Sequence, residues 1–170
     1  AFEFFWFWWH KLHACFQEIL IVKLAIGSDH AGFELKEYLK QILLSKGYDL
    51  TDVGTYDKSS VDYPDFGFKV AHLVSSKLAD KGILVCGTGI GMSVVANKVK
   101  SVRAALAFDI YTAIQSRKHL DANILVLGGR VTGQGLAEEI VNAWLNTPFE
   151  SGRHEKRIEK IAQFETEYLK

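Results

Sequence analysis

Residues 82–86 read Gly-Ile-Leu-Val-Cys, an unbroken apolar run followed at once by the glycine-rich stretch Gly87–Gly91. A strand with no polar side has to be covered on both faces, as an inner strand of a parallel sheet is when helices flank it. The rest of the chain repeats that theme. Leu24–Ser28 is a second short apolar run, and Ala31–Lys46 follows it with Phe33, Leu35, Leu39, Ile42 and Leu43 near helical spacing and Gly47 placed to close the helix. Tyr48–Val53 reads as a strand, a polar loop runs to Pro64, and Asp65–Ala79 reads as a helix with Phe66, Val70, Leu73, Val74 and Leu78 on one side. Beyond the glycines, Met92–Val99 reads as a short helix. Arg103–Ala107, Asp109–His119, Asn123–Leu127 and Gly135–Trp144 continue as strand, helix, strand and helix, and the charged tail Arg153–Lys170 suits one more helix. Five strands with interleaved helices predict an α/β fold: one domain with a doubly wound, Rossmann-like five-stranded parallel sheet and a C-terminal helix. Such sheets bind ligands at the carboxyl ends of their strands. That rule selects Ser28-Asp29-His30, Cys86–Gly91, Phe108-Asp109 and Gly128–Arg130.

Composition narrows the partners. The chain has 170 residues, long enough to bury a core without a metal or disulfide staple. Twenty Lys+Arg balance twenty Asp+Glu, so neither nucleic acid nor an anionic membrane is an expected partner, and any anion must be held by a local cluster. Cys15 and Cys86 form no C-x-x-C pair and fit no zinc spacing. A reduced, cytoplasmic protein with no metal and no cofactor is the expectation. Residues 1–22 stand apart, holding three of the four Trp and five of the eleven Phe. Their apolar run Phe4–Trp9 is far too short to span a bilayer, and no basic stretch precedes an apolar core as in a secretory signal. They read as an aromatic extension outside a domain spanning 23–170, or as a hydrophobic tail that docks on a partner or membrane surface.

Four clusters carry candidate chemistry. Cys86-Gly-Thr-Gly-Ile-Gly-Met-Ser93 is a strand end, a glycine loop and a helix start. Its free amides can stabilise negative charge beside a thiol suited to proton transfer or nucleophilic work. Met92 occupies the place of the third glycine in a dinucleotide fingerprint, and no Gly-Lys-Ser/Thr of a Walker loop follows. The plainer reading makes Cys86 a small hydrophobe ending a core strand. Asp29-His30 can bind hydroxyls and handle protons, or merely cap a helix. His119 stands at a helix C-terminus, where it is either functional or only a favourable partner of the helix dipole. Arg153 and Arg157, four apart beside His154 and Lys156, could clamp a phosphate or form a solvated face paired with Glu155 and Glu159. His10, His13 and His72 have no such setting, and His72 reads as structural, beside core positions of its helix.

Seven short motifs then appear in order: Gly27-Ser-Asp-His-Ala-Gly32, Asp62-Tyr-Pro64, Cys86-Gly-Thr-Gly-Ile-Gly91, Ala96-Asn-Lys98, Ser116-Arg-x-His119, Gly128-Gly-Arg130 and Gly152-Arg-His154. Over about residues 23–165 the chain resembles the type B ribose-5-phosphate isomerases, relatives of the galactose-6-phosphate isomerase subunits. The resemblance implies an aldose–ketose isomerase in which Cys86 moves a proton between C2 and C1 of an open-chain sugar phosphate. It further implies that the loop amides of Gly87, Thr88, Gly89, Ile90 and Gly91 stabilise the cis-enediolate, with Thr88 assisting proton movement between the oxygens. His119 matches the ring-opening acid/base, with Asp29 on the sugar hydroxyls. His30, Arg130, Arg153 and Arg157 match phosphate or substrate contacts. The site is expected at the subunit interface of a homodimer, or of a tetramer.

One departure is visible. Where the resembled family usually has Asn after the catalytic His, this chain has Leu120, which cannot give a substrate hydrogen bond worth about 0.5–1.5 kcal/mol. Ribose 5-phosphate is the first expected substrate. Allose or galactose 6-phosphate, or a catalytically idle sugar-phosphate-binding subunit, are the alternatives.

Overall fold

The apolar run 82–86 lies at the centre of the sheet. A computed structural model describes residues 22–168; the aromatic extension up to residue 21, with His10, His13 and Cys15, lies outside the described residues. The chain runs β1 (Lys23–Ser28), α1 (Phe33–Ser45), β2 (Asp49–Asp52), α2 (Tyr63–Ser75), β3 (Lys81–Cys86), α3 (Ile90–Ala96), β4 (Ala104–Leu106), α4 (Ile110–Leu120), β5 (Ile124–Gly128), α5 (Gln134–Asn146), a 3-10 turn (Gly152–His154) and α6 (Glu155–Tyr168). The strands are ordered β2-β1-β3-β5-β4 and every pairing is parallel. Ile83 of β3 is level with Ile26 of β1 and Leu125 of β5.

Alternation along β3 sorts its side chains between two cores. Ile83 and Val85 join Leu24, Ile26, Leu125 and Leu127 under α1, α4 and α5, where Leu35, Leu39, Ala113, Ile140 and Trp144 cover them. Leu84 and Cys86 join Ala25 and Val126 under α2 and α3, against Val70, Val74, Met92 and Ala96. Full burial of each large aliphatic residue here contributes about 1.5–3 kcal/mol. Val22, just ahead of β1, packs against the first core. The chain leaves β1 toward β2 on one side and returns past it to β3 on the other, so the crevice between the carboxyl ends of β1 and β3 is a topological switch point. Asp29 and Cys86 sit at that crevice.

The wall beside it is held by a partly buried ion cluster that the sequence pattern did not reveal. Lys36 of α1 is fully buried, with its ammonium 2.8 Å from Asp52 and 2.6 Å from Glu37, and Lys40 adds a contact of 2.7 Å to Asp52. Burial works against the Asp52 carboxylate, but hydrogen bonds from Lys36, Lys40 and the Gly54 amide outweigh it and hold Asp52 below the usual aspartate range. Gly54, tied in this way, accepts from the Ser28 amide at 2.6 Å, and the Thr55 amide donates to Ser28 O at 2.7 Å.

Several element ends differ from the sequence pattern. Helix α2 starts at Tyr63 and takes Pro64 into its first turn, where a missing N–H costs nothing. It stops at Ser75 because Lys77 turns into the left-handed region at φ 64°, which leaves Leu78 exposed rather than on the apolar side. His72 is exposed and stacks on Phe68 at 5.9 Å; it does not enter the core. Helix α3 starts at Ile90 and ends at Ala96, both earlier than the pattern suggested. The final α-helix starts at Glu155, after a 3-10 turn that carries Arg153.

Candidate active site

The carboxyl edge of the sheet gathers one group of candidates. Cys86 ends β3, is nearly buried, and its Sγ accepts a hydrogen bond from the Gly89 amide at 3.1 Å. Gly89 caps α3 with φ +83°, and a Cβ there would lie 2.3 Å from Leu106 Cδ1, so only glycine lets the loop fold back onto the thiol. Gly128 at the end of β5 is likewise required, since a Cβ would meet the Thr88 carbonyl at 2.9 Å. Thr88 is exposed, with its Oγ1 accepting from the Ile90 amide at 3.4 Å, Gly87 and Gly91 are half-buried, and Ile90 faces solvent. The loops on either side are tied to this strand: the Asp29 amide donates to Val85 O at 3.3 Å, the Gly129 amide to Cys86 O at 2.7 Å, and the Arg130 amide to Gly87 O at 3.0 Å.

Asp29 is 6% exposed, and its Oδ1 accepts from the Gly32 amide at 2.9 Å. It therefore braces the turn before α1; the N-cap itself is Gly32, with no side-chain cap. His30 Nδ1 accepts from the Val61 amide at 3.3 Å, so the neutral ring carries its proton on Nε2 and presents a donor. Arg130 is exposed, with Cδ 3.6 Å from the place a Gly87 Cβ would take. The backbone bonds between their loops bring Cys86, Asp29 and Arg130 to one end of the sheet. Asp109, at the fourth selected place, caps α4 by accepting from the Thr112 amide at 2.7 Å.

The second group lies elsewhere. His119 is near the end of α4, whose eleven residues cover roughly 16 Å from the carboxyl edge to the amino edge of the sheet. There it stacks on His154, with ring centroids 4.2 Å apart and planes 8° from parallel. Arg153 Nε lies 3.4 Å from His154 Nε2, and Arg157 Nη1 lies 3.3 Å from His154 Nδ1. The two arginines thus do not share a helical face, because Arg153 precedes α6; they meet around one imidazole. Among the described residues, neither they nor Arg130 form an ion pair, so the solvated pairing with Glu155 and Glu159 is not what the structure shows. Beside the histidines is a cavity of about 530 Å³ lined by Leu106, Tyr111, Gln115, Ser116, Leu120 and Arg157.

His119, Glu150 and His154 bring possible ligand atoms within 4.8 Å of one another. Two stacked rings hold their lone pairs in parallel planes, however, and one ion cannot lie in both. Both nitrogens of His154 are moreover fronted by guanidinium groups. As arranged, the trio does not chelate. Leu120 is 42% exposed and lines both this cavity and a neighbouring apolar groove with Ile161 and Phe164. His154 was not singled out by sequence reasoning as a site residue, although the Gly152-Arg-His154 motif carried it.

Known proteins similar to this chain in sequence and fold are consistent in kind. A family model described as Ribose/Galactose Isomerase matches residues 24–161. Ribose-5-phosphate isomerase B of Escherichia coli (strain K12) is 43% identical over 143 residues, covering 84% of this chain and 96% of that protein. D-erythrulose-4-phosphate isomerase of Pectobacterium atrosepticum is 42% identical over 147 residues, covering 85% and 96%. The solved structure of Clostridium thermocellum ribose-5-phosphate isomerase B superposes with a TM-score of 0.86 at 50% identity, covering 86% of this chain and 99% of that one.

Proposed function

Since the chain belongs to the ribose/galactose isomerase family and is an aldose–ketose isomerase of sugar phosphates, we propose that it interconverts ribose 5-phosphate and ribulose 5-phosphate, with Cys86 as the proton carrier. The Cys86 thiolate takes the proton from C2 of the open-chain aldose. The electron pair left behind forms the C1–C2 double bond, and negative charge collects on the C1 oxygen. Amides of Gly87, Thr88, Gly89, Ile90 and Gly91 stabilise that enediolate. Thr88 moves the proton between the two oxygens, and the thiol returns its proton to C1 as the C2 carbonyl forms. Before this, His119 opens the sugar ring by exchanging protons with the anomeric hydroxyl and the ring oxygen, while Asp29 orients the hydroxyls. His30, Arg130, Arg153 and Arg157 hold the phosphate end. The scheme needs no metal or cofactor, and its free thiol suits a reducing compartment such as the cytoplasm.

The observation that carries this reading is the Gly89 amide hydrogen bond to Cys86 Sγ at 3.1 Å, inside a glycine loop at the switch point of the sheet. One chain alone does not complete the site, because His119, Arg153 and Arg157 stand at the opposite edge from Cys86. We therefore propose a homodimer in which each Cys86 loop meets the His119 corner of the partner. Leu120 supports a second reading: the apolar wall it adds to the His119 cavity suits a six-carbon aldose 6-phosphate that needs no polar contact there. The test is turnover of ribose 5-phosphate, followed as ribulose 5-phosphate formed in deuterated water. Product carrying solvent deuterium at C1 supports the proposal. Turnover with no incorporated deuterium at any time points to a hydride shift and removes Cys86 from its role. No turnover of the pentose with turnover of allose 6-phosphate transfers the reading to the six-carbon substrate.

A further inference from the structure

His154 takes no part in the chemistry set out above, yet it is 1% exposed in a region where α6 buries no residue at all. One face of its ring covers His119, and each of its nitrogens fronts an arginine. A neutral imidazole has one lone pair, and a guanidinium can only donate, so the ring serves as acceptor to one arginine at a time. We infer that His154 is a positioning residue for the isomerase reaction: its face fixes the plane of the His119 ring, and its lone pair sets the spacing of Arg153 and Arg157. The inference rests on the reading in which His119 opens the sugar and the two arginines hold the phosphate.

Two roles on one side chain fall on different kinetic parameters. The groups facing the ring are His119 of α4, Glu150 of the connecting segment, Arg153 of the 3-10 turn and Arg157 of α6. Burial, and then electrostatic repulsion from the neighbouring His119 and the two arginines, holds His154 below the ordinary histidine value, with Glu150 opposing. The ring stays neutral and keeps its acceptor. Charging it in acid removes the acceptor and repels both arginines, which weakens the hold on phosphate.

His154→Phe keeps a flat ring on His119 and deletes the acceptor, whereas His154→Gln keeps an acceptor and deletes the stack. With ribose 5-phosphate as substrate and inorganic phosphate as inhibitor, the Phe variant is expected to raise KM and the phosphate inhibition constant about tenfold with kcat little changed. The Gln variant is expected to lower kcat about tenfold with KM little changed. Equal losses in both parameters for both variants, or no loss in either, overturn the inference. A readout independent of turnover separates it from the functional reading. Ring protons of His119 carry a ring-current displacement in the NMR spectrum of the wild type that the Phe variant retains and the Gln variant loses. If ribose 5-phosphate is not turned over by the wild type, the functional reading fails while this spectrum still decides for or against His154. Should a variant fail to fold, proton–proton contacts between the two rings in the wild type support the inference, and their absence overturns it.

Discussion

The two edges of the sheet are built of different material. At the carboxyl edge, Asp29 and Cys86 are nearly buried, and three backbone hydrogen bonds tie the loops after β1 and β5 to the end of β3 and its loop. The glycine loop is close enough to its neighbours that two of its contacts exclude any larger residue. At the other edge, Arg153 and Arg157 are exposed and α6 buries nothing of its own, with Ile161, Phe164 and Tyr168 open to solvent. There His154 is buried against the half-buried His119, on which it stacks. A group that moves a proton between adjacent carbons must be placed to a fraction of an ångström, which strand ends can do. A group that holds phosphate needs charge more than placement, and a helix completed by a partner chain can supply it.

Substitutions at the two edges are expected to separate along that line. The largest effect belongs to the rigid edge. Cys86→Ala removes the proposed proton carrier and leaves the amide loop, so turnover is expected to fall about 10²–10⁴-fold. Thermal protection by a sugar-phosphate analogue persists, because ligand binding is retained. Turnover above about a tenth of wild type, less than a general base normally contributes, makes the thiol structural and ends the contrast.

Replacing Arg153 and Arg157 together by Ala comes next. Each charge-assisted hydrogen bond to phosphate contributes about 1.5–3 kcal/mol, so inhibition by inorganic phosphate weakens at least tenfold while kcat changes far less. Identical inhibition constants in the two proteins reduce the arginines to surface residues. The smallest effect is expected at Leu120→Asn, on the wall of the His119 cavity. It restores one polar contact, and the ratio of kcat/KM for ribose 5-phosphate over allose 6-phosphate moves by up to about tenfold. An unchanged ratio shows that the Leu120 side chain serves the neighbouring apolar groove and not the substrate.

How much of this was legible in the sequence differs in the same way between the two edges. The apolar run 82–86 followed by glycines announces a buried strand feeding a tight loop, and that pattern is local, so sheet, crevice and Cys86 loop follow from it. The strand order, with β5 between β3 and β4, does not follow, because pairing partners far apart in sequence leave no periodicity. Nor does the burial of Lys36, since a lysine on an amphipathic helix reads as solvent-facing until Asp52 is placed beside it. The spacing of Arg153 and Arg157 suggested a shared helical face; the 3-10 turn breaks that phase, and the imidazole between them restores their proximity by another route. Leu78 was misplaced because the left-handed turn at Lys77 is not signalled by a glycine or an asparagine. That His119 stands at the far edge from Cys86 was not in any local pattern; it comes from the direction of α4.

The central claim is that the proton-transfer edge of one chain works with the phosphate-holding corner of another. Mixing two inactive proteins tests it most directly. Cys86→Ala and His119→Ala are each purified, shown to be impaired with ribose 5-phosphate, then combined under conditions that let subunits exchange. Random pairing makes half of the dimers mixed, and each mixed dimer holds one site with both groups intact, so activity is expected to return to roughly a quarter of the wild-type value. If the mixture stays at the level of its two components although mass spectrometry shows that mixed dimers have formed, Cys86 and His119 do not meet across copies, and the account is wrong.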